Sequence, residues 1–297
     1  MHSIYKNYNF QQSIQKILSF GRMIKFSHTV FALPFALSAV VLAGKTHTLQ
    51  FVDIFWIIIA MIGARSSAMG FNRIVDASID SKNPRTAHRE IPSGKISVNQ
   101  SIIFVLCFSA LFIISSAMLG KICFMFSIPV LFLLFFYSYT KRFTSFSHIY
   151  LGFAISLAPL AAWIAVTQSF HWSIIFLSLA LLTHIAGFDI LYSCQDYMFD
   201  RHEGLFSIPS KYGLSKALTL SRIIHVITFI CLICIFFIFH LGKVYIVATM
   251  IIGILFFIEH QIVDSKNLKQ IPIAFFHINS AISLVLFAGI FGDVFLL

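Results

Sequence analysis

"NRIVDASIDSKNPRTAHREIPSG", residues 72–94, carries two aspartates, a glutamate, a lysine and three arginines in one short stretch. The chain around it is only 11% charged and 59% hydrophobic, with 35 phenylalanines among 297 residues. Its mean hydropathy is +0.90, whereas an average soluble domain is about 25% charged. The stretch is a polar island between apolar runs, and the length of those runs decides the fold. A membrane-spanning helix needs roughly 20 mostly apolar residues. Runs of that kind fall at about 24–44, 51–72, 98–120, 122–140, 146–168, 171–193, 217–240, 244–263 and 272–295. They consume most of the chain and predict an all-α polytopic membrane bundle of about nine transmembrane helices. The expected division is a cytoplasmic N-terminal segment at 1–23 and a single transmembrane domain at 24–297.

Basic residues orient the bundle, because cytoplasmic loops collect Lys and Arg. With the N-terminus inside, only Lys45, Lys121 and Lys243 fall on the outer side, and Arg65 lies within the second run. The other 17 of the 21 Lys and Arg fall inside. The expectation is an N-in, C-out protein of a bacterial inner membrane, with its charged loops facing the cytoplasm. The net charge of +10 then reflects topology and attraction to anionic lipid or substrate. Nucleic acid is excluded as a partner because no basic soluble module exists to bind it. Residues 1–22 are polar and mixed, with no cleavable-signal pattern, and Phe10, Ile14, Ile17 and Leu18 could form one apolar helix face. Of the five cysteines, Cys231 and Cys234 make a C-x-x-C in mid-run without a second pair, so neither zinc nor a disulfide is expected.

The polar island has an echo. Asn72, Asp76 and Asp80 stand four apart, and "DILYSCQDYMFD", residues 189–200, sets Tyr192, Asp196 and Asp200 at the same spacing after Asp189. Four residues advance a helix by about one turn, where like charges repel. Both sets lie where a span ends, and a helix C-terminus disfavours anions. Two such sets call for a cation, and oxygen ligands without Cys or His select a hard ion such as Mg²⁺. Arg85 and Arg89, one turn apart, with Lys82 and the later pair Lys141 and Arg142, supply positive charge suited to phosphate. The pattern therefore reads as acids for Mg²⁺, cations for a diphosphate, and apolar spans for its hydrophobic tail.

These motifs resemble the UbiA superfamily of intramembrane prenyltransferases over essentially the whole chain. The resemblance implies Mg²⁺-dependent transfer of a polyprenyl group from its diphosphate to an aromatic acid, in respiratory quinone biosynthesis. It assigns metal binding to Asn72, Asp76, Asp80, Asp196 and Asp200, with the four aspartates catalytic. Diphosphate contacts are implied for Lys82, Arg85, Arg89, Lys141 and Arg142, and aromatic-acceptor contacts for Arg65, Asn72, Asp189 and Tyr192. Arg65 is conspicuous on its own, since an arginine within a span costs several kcal/mol. Two positions depart from the family pattern. Arg73 replaces the aspartate that usually follows the motif asparagine, and Phe206 stands where a lysine is common. The branch resembled is that of 4-hydroxybenzoate polyprenyltransferases, some of whose members resemble enzymes that prenylate 1,4-dihydroxy-6-naphthoate. A cation-coupled transporter would instead carry charges near the midplane of several spans.

Overall fold

The computed structural model describes residues 18–263 and 268–296. The apolar face read at Phe10, Ile14 and Ile17 lies outside them, as do Lys6, Lys16 and Lys266. Among the described residues every regular element is helical. In chain order the helices are α1 (Leu33–Ala43), α2 (Phe51–Val75), α3 (Ala77–Lys82), α4 (Val98–Met118), α5 (Lys121–Thr140) and α6 (Ser147–Thr167). There follow α7 (Ile174–Ser193), α8 (Tyr197–Glu203), α9 (Ile208–Tyr212), α10 (Leu214–Ile238) and α11 (Lys243–Ile262). The last is α12 (Ile271–Phe295), which contains a π-helical turn at Ala274–Ile278.

Among the described residues eight helices are long and apolar enough to cross a membrane, among them α2, α4, α5, α7 and α12. The first expected span differs. It is a 3₁₀ turn at Phe26–Phe31 followed by the 11-residue α1, about 16 Å of helix at 1.5 Å per residue. Pro34 in the first turn fixes where α1 begins. Phe35, Ala36, Ala39 and Val40 are all at most 2% exposed, so α1 is apolar all round because neighbouring spans enclose it. Outer faces carry the opposite signature. Ile128, Phe132, Phe237 and Phe257 are each 65–66% exposed, a surface suited to lipid.

The central helix is α7, on which Leu177, Ala180, Leu181, Ala186 and Ile190 are completely buried. Its approach to α6 depends on Gly152, where a Cβ would stand 2.3 Å from the Leu182 carbonyl oxygen. Small residues let membrane helices approach closely, and this contact brings the start of α6 beside the end of α7. The two charged loops leave α2 and α7 at the same end of the bundle. Lys82 and Glu203 bridge them at 2.8 Å.

The acidic trios do not ride on continuous span helices. The backbone breaks at Asp76 (φ −90°, ψ 0°) before α3, and a 3₁₀ turn at Cys194–Asp196 separates α7 from α8. Asp76 and Asp196 are therefore the N-cap residues of α3 and α8, with Asp80 and Asp200 in the first turns. A helix N-terminus favours anions, but Asp76 also closes the 25-residue α2 and neither aspartate caps an amide with its side chain, so the break offsets only part of the repulsion.

Candidate active site

The breaks after α2 and α7 turn both acidic sets toward one cavity of about 160 Å³. Asn72, Asp76, Asp80, Arg85, Arg89, Lys141, Asp189, Tyr192, Asp196 and Asp200 all line it, together with Arg73 and Phe206. Residues 124 positions apart in sequence thus share one wall-to-wall site. Lys82, Arg142 and Arg65 are absent from its lining.

Asp76, Asp80 and Asp196 are each met by a cation. Arg89 Nη1 donates to both oxygens of Asp80, at 2.7 and 2.6 Å. Arg85 grips Asp196 through Nε at 2.8 Å and through Nη2, a bidentate geometry that only a guanidinium offers. Asn83 Nδ2 adds a third bond to Asp196 at 2.9 Å, while its own Oδ1 accepts the Arg85 amide at 2.9 Å. Burial works against the Arg85 charge, yet the Asp196 carboxylate and Tyr192 raise its pKa above the ordinary arginine value. Lys141 Nζ donates to Asp76 Oδ2 at 2.7 Å, and Asn72 Nδ2 reaches the same oxygen at 3.0 Å. The other Asp76 oxygen, Oδ1, is buried and accepts no hydrogen bond among the described residues; Arg142 Nη2 stands 3.8 Å away while donating to the Val75 carbonyl.

Tyr192 is held from two sides. Its hydroxyl accepts from Arg85 Nη1 at 2.8 Å, and its ring faces Phe275 with centroids 4.2 Å apart. Phe275 belongs to the π-helical turn of α12. That turn is steadied by Asn279 Nδ2, which donates to the carbonyls of Ala274 and Phe275. Asp189 is paired with His148 Nδ1 at 2.7 Å. The Ile208 amide points at the other ring nitrogen from 3.4 Å, which assigns the ring proton to Nδ1, donating to Asp189. The loop carrying Phe206 is pinned where its amide donates to the Lys141 carbonyl at 2.8 Å.

Two arginines take an unexpected course. Arg65 Nη2 donates to the Lys25 carbonyl at 3.1 Å, with Nε unpartnered among the described residues, and Arg73 Nε donates to the Met23 carbonyl at 3.0 Å. Both thus anchor the segment before the first 3₁₀ turn. Lys25 itself lies over the Tyr192 ring, 5.9 Å from its centroid, and burial lowers its ammonium below the usual lysine range. Its backbone adopts the left-handed region (φ 46°), which for a non-glycine residue marks a constrained position. Sequence reasoning missed Lys25, Asn83, His148 and Phe275. The Asn83–Pro84 pair lay in plain view beside Arg85, whereas nothing local singled out His148 or Phe275.

The donor set is oxygen throughout, and the unpartnered Asp76 Oδ1 offers a free lone pair. Among the described residues, the one group of three metal-type side chains with ligand atoms within 4.8 Å lies elsewhere, at His225, Glu259 and His260. The aspartates therefore flank the cavity rather than converge on one point. That suits Mg²⁺, which commonly takes one or two carboxylates and completes its shell with water and substrate phosphate.

A model of the UbiA prenyltransferase family matches residues 32–281. The 4-hydroxybenzoate octaprenyltransferase of Vibrio vulnificus (strain CMCP6) is 22% identical over 283 residues, spanning 94% of this chain and 98% of its own. That of Legionella pneumophila (strain Lens) is 30% identical over 145 residues, 48% of this chain and 51% of its own. Among solved structures, a UbiA homologue from Aeropyrum pernix K1 matches with TM-score 0.82 and 28% identity over 90% of this chain and 98% of its own. A UbiA homologue from Archaeoglobus fulgidus bound to DMAPP and Mg²⁺ shares the fold, with TM-score 0.72 and 20% identity over 94% of this chain and all of its own. With its helical membrane bundle, its paired acidic loops and a family match over most of its length, the chain belongs to the UbiA prenyltransferase family and is a multi-pass membrane prenyltransferase.

Proposed function

We propose that the enzyme transfers a polyprenyl group from a polyprenyl diphosphate to an aromatic acid of the 4-hydroxybenzoate type, with Mg²⁺ as cofactor, at the cytoplasmic face of a bacterial inner membrane. The observation that carries this reading is the pairing of Asp76, Asp80 and Asp196 in the cavity's two aspartate sets with cations suited to phosphate, above all Asp80 with Arg89 and Asp196 with Arg85. A donor carrying both metal and diphosphate can exchange partners with such pairs: carboxylate to metal, guanidinium to phosphate. When bound, Mg²⁺ supplies charge that stabilises the leaving diphosphate.

Asp76, Asp80, Asp196 and Asp200, with Asn72, hold the cation in this account. Arg85, Arg89 and Lys141 take the diphosphate oxygens as the allylic C–O bond breaks. Arg142 and Lys82, bound outside the cavity, act through the charge of the loops. The Tyr192 ring presents its π face to the developing allylic cation, and enclosure by the spans keeps water from it. A ring carbon ortho to the acceptor hydroxyl forms the new C–C bond and its proton leaves to the released diphosphate or an aspartate. Arg65 and Lys25 supply positive charge for the acceptor carboxylate, and Asp189, oriented by His148, faces the acceptor side. An apolar cleft of about 480 Å³, lined by Val30, Leu33, Leu37, Ile58, Met61 and Phe287, offers room for the isoprenoid tail.

The test is incubation of membranes holding the full chain with a labelled polyprenyl diphosphate, Mg²⁺ and 4-hydroxybenzoate or, in a second arm, 1,4-dihydroxy-6-naphthoate. Prenylated 4-hydroxybenzoate is the expected product. Transfer to the naphthoate alone would overturn the acceptor, and transfer to neither would overturn the reading.

A further inference from the structure

A second polar cluster lies among the last three spans and takes no part in the cavity above. His225 of α10 and Glu259 of α11 are 1% and 0% exposed in their side chains, while His260, in the last turn of α11, is half-buried. His225 Nδ1 stands 2.9 Å from His260 Nε2 and 3.3 Å from Glu259 Oε2. Tetrahedral ligands about 2.0–2.1 Å from a zinc ion stand roughly 3.3 Å from one another, so these separations need little adjustment.

The surroundings are those of a built site. His225 Nε2 faces the His184 carbonyl at 3.3 Å. A proton there donates to that carbonyl and turns the bare Nδ1 lone pair toward Glu259. Metal-binding histidines are commonly oriented by such a bond from the far nitrogen. Asn279 Nδ2 holds Glu259 Oε1 at 2.9 Å, yet Glu259 Oε2 has no hydrogen-bond partner among the described residues. Gly187 makes the space, since a Cβ there would stand 2.2 Å from two atoms of the His225 ring. An imidazole lone pair turned on a carboxylate oxygen in a dry interior is repulsive, and a buried unpaired carboxylate is costly. A proton on His260 Nε2 would satisfy His225 and leave Glu259 Oε2 bare, whereas a proton taken up by Glu259 Oε2 would satisfy His225 and leave His260 Nε2 bare. One cation satisfies all three.

We propose that His225, Glu259 and His260 form a second metal site, for a divalent transition ion of the zinc class, that clamps α10 to α11. Two imidazoles select such an ion over Mg²⁺. The experiment uses the full chain purified in detergent, stripped with chelator, reloaded with Zn²⁺ and desalted, with metal content and thermal midpoint measured. The unaltered protein should retain about one zinc per chain and gain several degrees of midpoint on loading. Glu259→Gln, which preserves shape, and His260→Ala, at a half-buried position, should retain less than about a tenth of that and show no gain. Asp76→Ala should retain zinc like the unaltered protein, separating this site from the aspartate cavity. Failure of the unaltered protein to retain zinc, or equal retention by Glu259→Gln and His260→Ala, would overturn the proposal.

Discussion

Arg89→Ala probes the exchange of partners in the cavity, because its two expected effects have opposite signs. Asp80 is 4% exposed, and Arg89 supplies both of its side-chain hydrogen bonds. A hydrogen bond to a charged group contributes about 1.5–3 kcal/mol. Loss of the guanidinium from the diphosphate should therefore weaken donor binding roughly 10- to 150-fold. Asp80, no longer neutralised, should attract a cation more strongly, so half-saturating Mg²⁺ at saturating donor should fall. Stripping one partner from a fully buried pair costs about 3–5 kcal/mol. Arg89 keeps 17% of its side chain exposed and Asp80 lies in the first turn of α3, so the loss should fall at the low end of that range and leave the variant folded and measurable. The assay is steady-state transfer at varied donor and varied Mg²⁺, with a thermal midpoint to confirm folding. An unchanged donor KM, or a Mg²⁺ requirement that rises, would refute the reasoning.

Arg65→Leu should raise the KM for the aromatic acid much more than that for the donor, and should blunt the preference for acids over phenols lacking a carboxylate. Unchanged acceptor selectivity would make Arg65 only an anchor for the Lys25 carbonyl. Lys82→Ala, which breaks an exposed bridge to Glu203, should change activity by no more than about fivefold, since exposed ion pairs are screened by solvent and contribute little; a hundredfold loss of donor affinity would place Lys82 on the diphosphate. Gly152→Val should lower the thermal midpoint, because overpacking at a close helix contact costs about 1–3 kcal/mol, and an unchanged midpoint would contradict the tight α6–α7 crossing.

The helical architecture was legible because lipid-facing and buried spans are both apolar, and run length alone marks them. The same uniformity hid the character of α1, since Phe35 and Val40 read alike whether lipid or protein covers them. The cavity's acids were legible from spacing, because four-residue steps survive a helix break that keeps both sides turned one way. The break itself was not, for nothing in "VDAS" or "SCQD" forces it, and the favourable N-cap positions of Asp76 and Asp196 emerge only from the backbone. Partner choice was beyond reach as well. Arg85 meeting Asp196 and His148 meeting Asp189 join residues 111 and 41 positions apart, across contacts that tertiary packing decides. Arg65 shows the limit most clearly, being marked by its cost within a span yet held by a backbone carbonyl the sequence could not point to.

The central claim is that both acidic sets serve one metal-dependent diphosphate site. It is tested most directly by titrating the purified full chain with a non-reacting prenyl thiodiphosphate, with and without Mg²⁺, alongside Asp76→Ala and Asp196→Ala. The expected result is one site per chain that needs Mg²⁺ and is lost in either variant alone. Binding of equal strength without Mg²⁺, or full binding in either variant, would contradict it.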